Sequence, residues 1–247
     1  MDLQTTLRAG VSTGTFIKTA HPQVVEVLGT SGLVFAVIDA EHAPFDRNML
    51  DLLMLAGRAA NLPLLVRIPD KAGPTILQVL DLGAAGLVVP HVNNAAEAQA
   101  VVARARYRGG ERGFSGSPRF AGYGAMGMKA ALDAGDKSVI MCQIESADGL
   151  ANARAIAEVP GVDALFIGRA DLALAMGHED IRVAAVTDAT HAIIAAARAA
   201  GKIAAMFVPN VAEREQFAAA GATCFVVGSD QSLLRQGALA LTARKPA

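Results

Sequence analysis

The sequence predicts a single-domain (β/α)₈ (TIM) barrel over residues 1–247, because eight short apolar runs alternate with helical segments along the chain. The runs are continuously apolar, which is typical of parallel strands buried on both faces. Parallel strands also need long crossover connections, and the helical segments supply them. The eight predicted strands are 11–17, 33–38, 63–68, 86–89, 139–144, 164–167, 203–208 and 224–227.

The connections between these strands are rich in Ala and Leu at helical spacing. His21 and Pro22 follow the first strand, and since Pro favours the first helical turn, we expect a helix to begin there. The other predicted helices are 46–60, 74–82, 95–106, 150–158, 183–200 and 211–220. One connection, 108–136, is rich in Gly and carries Phe, Tyr and Arg side chains, so we expect an irregular insertion ordered by its aromatic residues.

An open, doubly wound sheet is the structural alternative for alternating strands and helices. In the dinucleotide-binding form of that fold, a Gly-rich fingerprint follows the first strand. This chain instead reads Lys18-Thr19-Ala20-His21-Pro22 at that point. The closed barrel is therefore the favoured prediction.

Composition argues against several classes of partner. The chain is 53% hydrophobic and 18% charged, with a formal net charge of −1 and no basic cluster, so nucleic acid is not an expected partner. No apolar run approaches the roughly 18 residues that cross a bilayer, and the start of the chain lacks a signal-peptide pattern. We expect a cytoplasmic enzyme that acts on small molecules. Cys142 and Cys224 lie within apolar runs and are expected to be buried thiols.

Polar residues follow the predicted strands, at the end of a barrel where active sites form. Gln143 and Glu145 end the fifth strand, and Asp171 lies just past the sixth. Two carboxylates at the same ends of neighbouring strands suggest a divalent metal, and oxygen ligands suit Mg²⁺ or Mn²⁺, with Co²⁺ or Zn²⁺ as further options. The alternative is that both carboxylates only cap loops or form ion pairs.

The polar residues and their order resemble the HpcH/HpaI family of metal-dependent, pyruvate-using class II aldolases. The resemblance covers nearly the whole chain and rests on four segments in register: 38–44 (IDAEHAP), 66–67 (VR), 143–145 (QIE) and 166–172 (FIGRADL). It implies a (β/α)₈ barrel assembled as a homo-hexamer, a trimer of dimers, with C-terminal helices exchanged between subunits. Segment 230–243 is then expected to dock on a neighbour.

The resemblance also implies a ligand set. Glu145 and Asp171 correspond to the metal ligands, which leave several coordination positions open. Gln143 and the main chain at Ala170 and Asp171 correspond to the site of a 2-oxo acid. Such an acid can bind the metal through its carboxylate and keto oxygens.

The resemblance further implies roles in proton transfer and charge stabilisation. His42 corresponds to the base, and Asp81 of a neighbouring subunit to the group that raises its basicity. Asp39, in the same motif as His42, is expected to support the site. Arg67 corresponds to the residue that holds the keto oxygen, although it can also bridge Asp39 or Glu41.

Two departures from the commoner family pattern concern the acceptor substrate. Arg169 stands where many relatives have Pro, so it is expected to bind an acidic acceptor, to pair with Asp171 or to face solvent. Loop 108–123 is the second candidate for acceptor specificity. His91 follows the fourth strand, where it is expected either to line the mouth of the barrel or to have a core or loop role, and the second is favoured.

The predicted reaction is reversible aldol addition of pyruvate or hydroxypyruvate to an aldehyde, with cleavage of a 4-hydroxy-2-oxo acid as the physiological direction. An imine mechanism is an alternative, for which Lys18 is the only plausible lysine. An acyl-CoA lyase of the citrate or malyl type and a non-catalytic barrel that binds 2-oxo acids are the other readings. A base such as His42 argues against a purely binding role.

Overall fold

The computed structural model describes residues 2–242 and shows a closed barrel of eight parallel strands in the order β1 to β8, in which β1 pairs with β8. The predicted (β/α)₈ barrel is confirmed, and the open sheet is excluded by this closure. The strands are β1 (Ser12–Ile17), β2 (Phe35–Asp39), β3 (Leu64–Arg67), β4 (Gly86–Val89), β5 (Val139–Ile144), β6 (Ala164–Ile167), β7 (Ile203–Val208) and β8 (Cys224–Ser229).

The strand ends matter because they position the polar residues. Strands β4 to β7 have the predicted bounds. Strand β2 continues one residue past its apolar run, because Asp39 still pairs in register with Arg67 of β3. Both side chains are therefore held by the sheet itself and not by a loop.

Helices connect the strands around the outside of the barrel. They are α1 (Leu3–Ala9), α2 (Pro22–Gly29), α3 (Arg47–Ala59), α4 (Gly73–Asp81), α5 (Ala95–Ala105), α6 (Met128–Gly135), α7 (Ala147–Ala151), α8 (Ala153–Ala157), α9 (Arg169–Ala175), α10 (Ala184–Ala199), α11 (Val211–Ala219) and α12 (Asp230–Thr242). His21 caps α2, as predicted, by accepting from Gln23 N at 3.3 Å. The single helix predicted over 150–158 is instead two short helices, α7 and α8, which meet at Asn152.

The core has two layers. One fills the barrel interior, with Phe35 and Phe166 among its largest buried side chains, and the other lies between the strands and the surrounding helices. Cys142 and Cys224 are free and fully buried, and burial raises the pKa of each thiol to about 12. Both are structural residues, because a thiol with that pKa is almost wholly protonated at neutral pH.

The insertion is more regular than its composition suggests. It contains a 3₁₀ helix (Arg119–Gly124) and α6, so the prediction of an irregular segment is only partly right. The guanidinium of Arg112 lies 4.4 Å from the ring centre of Tyr107 and 4.8 Å from that of Phe120. The aromatic residues order the insertion, as predicted, through a cation–π stack with this buried arginine.

The insertion lies between α5 and β5, and therefore at the amino end of the barrel. Arg112 Nη2 donates to Asp81 Oδ1 at 2.9 Å, at the end of α4. No residue of 108–123 lines the cavity at the carboxyl end. The prediction that this loop sets acceptor specificity is therefore wrong for the cavity of its own chain.

The last helix, α12, has no buried residue among those described. Its leucines are exposed, Leu234 to 77% and Leu241 to 88%. This surface is consistent with docking of 230–243 on another subunit, which stays a prediction, and Ala243 lies outside the described residues. Within residues 2–242, the structure has no helix with the length and apolar character of a membrane span.

Candidate active site

A cavity of about 400 Å³ opens at the carboxyl ends of the strands. Five predicted site residues line it: His42, Arg67, Gln143, Ala170 and Asp171. The rest of the lining is formed by Phe16, Lys18, Phe166, Gly168, Arg169, Phe207, Ser229 and Ser232. The cavity therefore joins residues that lie up to 216 positions apart in sequence, from Phe16 to Ser232.

A buried ion-pair network supports one wall of the cavity. Arg67 donates to both carboxylate oxygens of Asp39, at 2.9 and 2.7 Å, and Lys18 Nζ lies 3.0 Å from Asp39 Oδ2. Burial alone would raise the pKa of Asp39, but the hydrogen bonds and charges of Arg67 and Lys18 outweigh it and hold that pKa below its usual value. Asp39 thus stays ionised and fixes both cations.

Arg67 has a second set of contacts. Its Nε lies 3.4 Å from Glu41 Oε2, and its guanidinium carbon lies 4.7 Å from the ring centre of Phe16. The carboxylates hold the guanidinium in place, while the residue still lines the cavity. The two expected roles of Arg67, structural bridge and ligand contact, are compatible in this geometry.

The predicted metal ligand Glu145 is buried behind the lining residue Gln143. Gln143 Nε2 donates to Glu145 Oε2, and the main-chain N–H of His91 donates to Glu145 Oε1 at 2.7 Å. Gly168 presses against the same carboxylate, since a Cβ at that position would lie 2.9 Å from Glu145 Oε2. A side chain at 168 would therefore displace Glu145.

Two buried oxygens near this carboxylate have no hydrogen-bond donor, namely Gln143 Oε1 and Glu41 Oε2. Burial raises the pKa of Glu41, and the negative charge of Glu145 adds to that effect. Buried acceptors without donors are costly, and excess carboxylate charge favours a bound cation. The oxygen-rich donor set therefore fits a hard divalent metal.

A metal bound at this cavity would have few protein ligands. Within residues 2–242, no group of three or more His, Cys, Asp or Glu side chains is arranged to hold a metal. Asp171 lines the cavity, whereas Glu145 is not a lining residue and accepts a hydrogen bond from Gln143, which is. Such an arrangement fits a metal held by two protein carboxylates, with the remaining positions left for substrate and water.

His42 lines the cavity with its side chain 55% exposed. Its main-chain N–H donates to Asp39 Oδ1 at 3.2 Å, and its Nε2 lies 3.8 Å from Glu41 Oε2, beyond hydrogen-bond distance. Asp81 is at the opposite end of the barrel, bonded to Arg112. Within one chain Asp81 therefore does not orient His42, and its action on a neighbouring subunit stays a prediction.

His91 is a residue whose position sequence reasoning underrated. Its Nδ1 lies 3.0 Å from Glu145 Oε1, and its Nε2 lies 3.6 Å from Glu41 Oε1. Its φ of +54° is unusual for a residue with a side chain and commonly marks a functional constraint. The available signal was its place directly after β4, the same signal that identified the other site residues.

The position of Arg169 contradicts one of the alternatives that the sequence suggested. It is 7% exposed, so the expectation that it faces solvent is wrong. Its Nη2 donates to Glu213 of α11, and its guanidinium carbon lies 4.8 Å from the ring centre of Phe217. The structure gives no ion pair between Arg169 and Asp171 among the described residues.

Comparisons with known proteins find similar sequences and a similar structure. The family model described as HpcH/HpaI aldolase/citrate lyase matches residues 12–237. A 4-hydroxy-2-oxovalerate aldolase of Rhodococcus jostii (strain RHA1) is 38% identical over 89% of this chain and 85% of that protein. A hydroxypyruvate/pyruvate aldolase of Paraburkholderia phytofirmans (strain DSM 17436 / LMG 22146 / PsJN) is 36% identical over 88% of this chain and 86% of that protein. A crystal structure of an HpcH/HpaI aldolase/citrate lyase family protein from Burkholderia cenocepacia J2315 superposes with a TM-score of 0.91 at 32% identity, covering 97% of both chains.

Proposed function

The chain belongs to the HpcH/HpaI aldolase/citrate lyase family and is a carbon–carbon lyase, and on that premise we propose that it cleaves 4-hydroxy-2-oxo acids to an aldehyde and pyruvate or hydroxypyruvate. The observation that carries the proposal is the cavity itself. A potential base, a buried arginine and an amide, His42, Arg67 and Gln143, line it together with Asp171. These are the groups that binding and cleaving a 2-oxo acid require.

A divalent metal is part of the proposal, with Mg²⁺ or Mn²⁺ preferred over Co²⁺ or Zn²⁺ because the available ligands are oxygens. Glu145 and Asp171 would hold it. When bound, the metal would supply Lewis-acid polarisation of the substrate's keto group. The donor-free oxygens of Gln143 and Glu41 support a cation near this carboxylate pair.

The substrate's carboxylate is placed at the start of α9. No side chain caps this helix, so the main-chain N–H groups of Ala170 and Asp171 are available as donors. Gln143 lies beside them in the cavity lining and orients the 2-oxo acid. Cleavage then occurs at the far end of the bound acid, between C3 and C4.

His42 takes the proton from the C4 hydroxyl as the C3–C4 bond breaks. The C4 oxygen becomes the carbonyl of the released aldehyde, and the electron pair of the broken bond moves to C3 and the keto oxygen as an enolate. Arg67 stabilises this negative charge because its guanidinium is already fixed by Asp39. Return of a proton to C3 completes the 2-oxo acid product.

Assembly as a hexamer, a trimer of dimers, is a further part of the proposal. It is supported by the exposed leucines of α12, which a second chain would cover. In such an assembly Asp81, at the barrel's amino end, would act on the His42 of another subunit. Association of α12 with a neighbour would explain why its apolar side chains are not buried in one chain.

The test measures pyruvate release from 4-hydroxy-2-oxo acids of several chain lengths, with protein stripped by EDTA and then supplied with Mg²⁺, Mn²⁺, Co²⁺ or Zn²⁺. We expect activity to disappear on stripping and to return with metal. Glu145→Gln should prevent the return. Glu158→Gln, on an exposed i,i+4 pair with Arg154, is the matched control and should behave like the unmodified chain.

Other results would point elsewhere. EDTA-resistant activity that borohydride traps on the protein would replace the metal with an imine at Lys18. Cleavage of CoA thioesters in place of 4-hydroxy-2-oxo acids would identify an acyl-CoA lyase. Metal binding without turnover of any of these compounds would indicate a binding protein.

A further inference from the structure

We propose that His91 is a positioning residue that holds one carboxylate oxygen of Glu145 and leaves the other for the metal, an inference that rests on the metal site of the proposed function. The main-chain N–H of His91 donates to Glu145 Oε1 at 2.7 Å, and the imidazole Nδ1 lies 3.0 Å from the same oxygen. The main chain and the side chain of one residue therefore converge on Oε1.

The other oxygen of Glu145 faces the loop that carries the second predicted ligand. Oε2 accepts from Gln143 Nε2, and a Cβ at Gly168 would lie 2.9 Å from it. Gly168 directly precedes α9, whose third residue is Asp171. An ionised carboxylate has about four lone-pair positions, two on each oxygen, so Oε2 keeps one after Gln143 has donated. This arrangement favours coordination of the metal through Oε2.

The backbone of His91 has a conformation that a side chain disfavours. Its φ is +54°, a value that glycine adopts freely. The imidazole is 62% exposed, so packing in the core does not compensate for the strain. Its contacts are instead with carboxylates, namely Glu145 and, through Nε2 at 3.6 Å, Glu41. These contacts account for a histidine at a position whose backbone suits glycine.

Side-chain hydrogen bonds fix the loop that carries His91. Lys71 Nζ donates to the carbonyl of His91 at 2.8 Å and also pairs with Glu97. The carboxylate of Glu97 accepts from the main-chain N–H of Asn93 at 3.1 Å, and Asn152 Nδ2 donates to the carbonyl of Asn93 at 3.0 Å. A loop fixed in this way can orient a carboxylate, because its own atoms have little freedom to move with that group.

The experiment measures Mn²⁺ binding by calorimetry, without substrate, on protein stripped with EDTA. His91→Gly removes the imidazole but keeps the main-chain N–H and permits a φ of +54°. His91→Asn also tolerates this φ and places an amide nitrogen next to Cγ, where Nδ1 stands, with no counterpart of Nε2. The matched control is Asn61→Gly, because Asn61 has the same φ of +54° and lies between α3 and β3, at the amino end.

We expect His91→Gly to raise the Kd for Mn²⁺ by roughly 10- to 100-fold, the usual effect of removing a group that orients a metal ligand. The thermal unfolding midpoint should change little, since glycine adopts this φ without strain. His91→Asn should recover part of the lost affinity. Asn61→Gly should bind Mn²⁺ like the unmodified chain.

Four results would overturn the inference. The same Kd in His91→Gly as in the unmodified chain would show that the imidazole does not act on the site. Equally weak binding by His91→Gly and His91→Asn would assign the effect to Nε2, as a direct ligand. A matching loss in Asn61→Gly would assign it to backbone flexibility. Undiminished binding by Glu145→Gln would remove the ligand that His91 holds.

Binding and turnover together separate this inference from the proposed function. Mn²⁺ binding that depends on the imidazole supports the inference even where no 4-hydroxy-2-oxo acid is cleaved, a result that overturns the proposed function alone. Metal-dependent cleavage with an unchanged Mn²⁺ Kd in His91→Gly overturns the inference alone. An unmodified chain that binds no Mn²⁺ overturns the metal site and this inference with it.

Discussion

The two ends of the barrel both bury a carboxylate among cations, and they differ in which buried polar atoms lack a hydrogen-bond partner. At the amino end, Asp163 is 2% exposed and accepts from Gln4 Nε2 at 2.7 Å and Arg8 Nη2 at 3.0 Å. The main-chain N–H of Ile140 donates to its other oxygen at 3.0 Å. This carboxylate ties α1 to the base of the barrel and has donors on both oxygens.

At the carboxyl end, the buried polar groups are connected but incompletely paired. Asp39 is satisfied by Arg67 and Lys18, whereas Glu41 Oε2 and Gln143 Oε1 have no donor and Arg169 Nε has no acceptor. At the amino end, the buried polar atoms without a partner are nitrogens of Arg106, Arg112 and Arg119 and the hydroxyl of Tyr107. Among the described residues, buried carboxylate and amide oxygens without a donor are therefore confined to the carboxyl end.

The position of these unpaired oxygens distinguishes the carboxyl end, whereas burial and charge are similar at the two ends. A buried carboxylate with donors on both oxygens is explained by the fold, but buried oxygens without a donor near the cavity favour a bound cation or hydrogen-bond donor. Carboxylates and arginines therefore stabilise the fold at the amino end and form the binding surface at the carboxyl end. Substitutions at the two ends should separate these roles.

The largest effect is expected at the carboxyl end. His42→Ala should lower kcat for 4-hydroxy-2-oxo acid cleavage by roughly 10²- to 10⁴-fold, the usual contribution of a general base. Metal binding and the thermal unfolding midpoint should change little, because the side chain is 55% exposed and forms no hydrogen bond with another side chain of the described residues. His178→Ala, in the loop after α9 and outside the cavity lining, is the control. Full activity in His42→Ala would remove this residue from the reaction.

The second largest effect is expected at the amino end, where a substitution should lower folding stability without changing kcat. Asp163→Asn leaves Arg8 and the buried Arg106 without their counter-ion, and should lower the free energy of unfolding by about 3 kcal/mol. For a chain of this size, that corresponds to a fall of roughly 6–12 °C in the unfolding midpoint. The exposed carboxylate of Asp188 on α10 provides the control, Asp188→Asn. A loss of kcat in the folded Asp163→Asn protein, measured below its transition, would contradict the proposed division between the two ends.

Much of the barrel could be predicted from sequence because hydrophobic burial is a local pattern. Strands β4 to β7 have their predicted bounds, and β5 contains Gln143 and is followed directly by Glu145. The Gly-rich composition of 108–136 hid α6 and the 3₁₀ helix, since their order depends on packing. There, Arg112 stacks on Tyr107 and Phe120, a contact that no periodicity reveals.

The sequence predicted which residues form the site better than it predicted how their side chains contact one another. Arg67 and Asp171 follow strands, so the barrel rule alone brings them to one end. The direction of Arg169 was not predictable, because it depends on Glu213, 44 residues later in the chain. His91 was underrated for a similar reason: its contact with Glu145 spans two strand ends and requires a φ of +54°.

The smallest expected effect is on how folding stability depends on pH, to which Asp39 and Glu41 at the carboxyl end contribute with opposite signs. Because Arg67 and Lys18 hold the pKa of Asp39 below its usual value, ionised Asp39 adds stability above its unfolded-state pKa of about 3.9, and this is lost as the pH falls through the lower folded-state value. Glu41 has the opposite sign. Its pKa is raised by burial, so its protonation relieves the cost of a buried charge as the pH falls.

The test is urea unfolding of the unmodified chain and of Asp39→Asn between pH 7 and pH 3. The difference in free energy of unfolding between the two proteins should be largest at neutral pH and should narrow below about pH 4. A gap that stays constant down to pH 3, with Asp188→Asn as the control, would show that Arg67 and Lys18 do not stabilise the ionised form of Asp39.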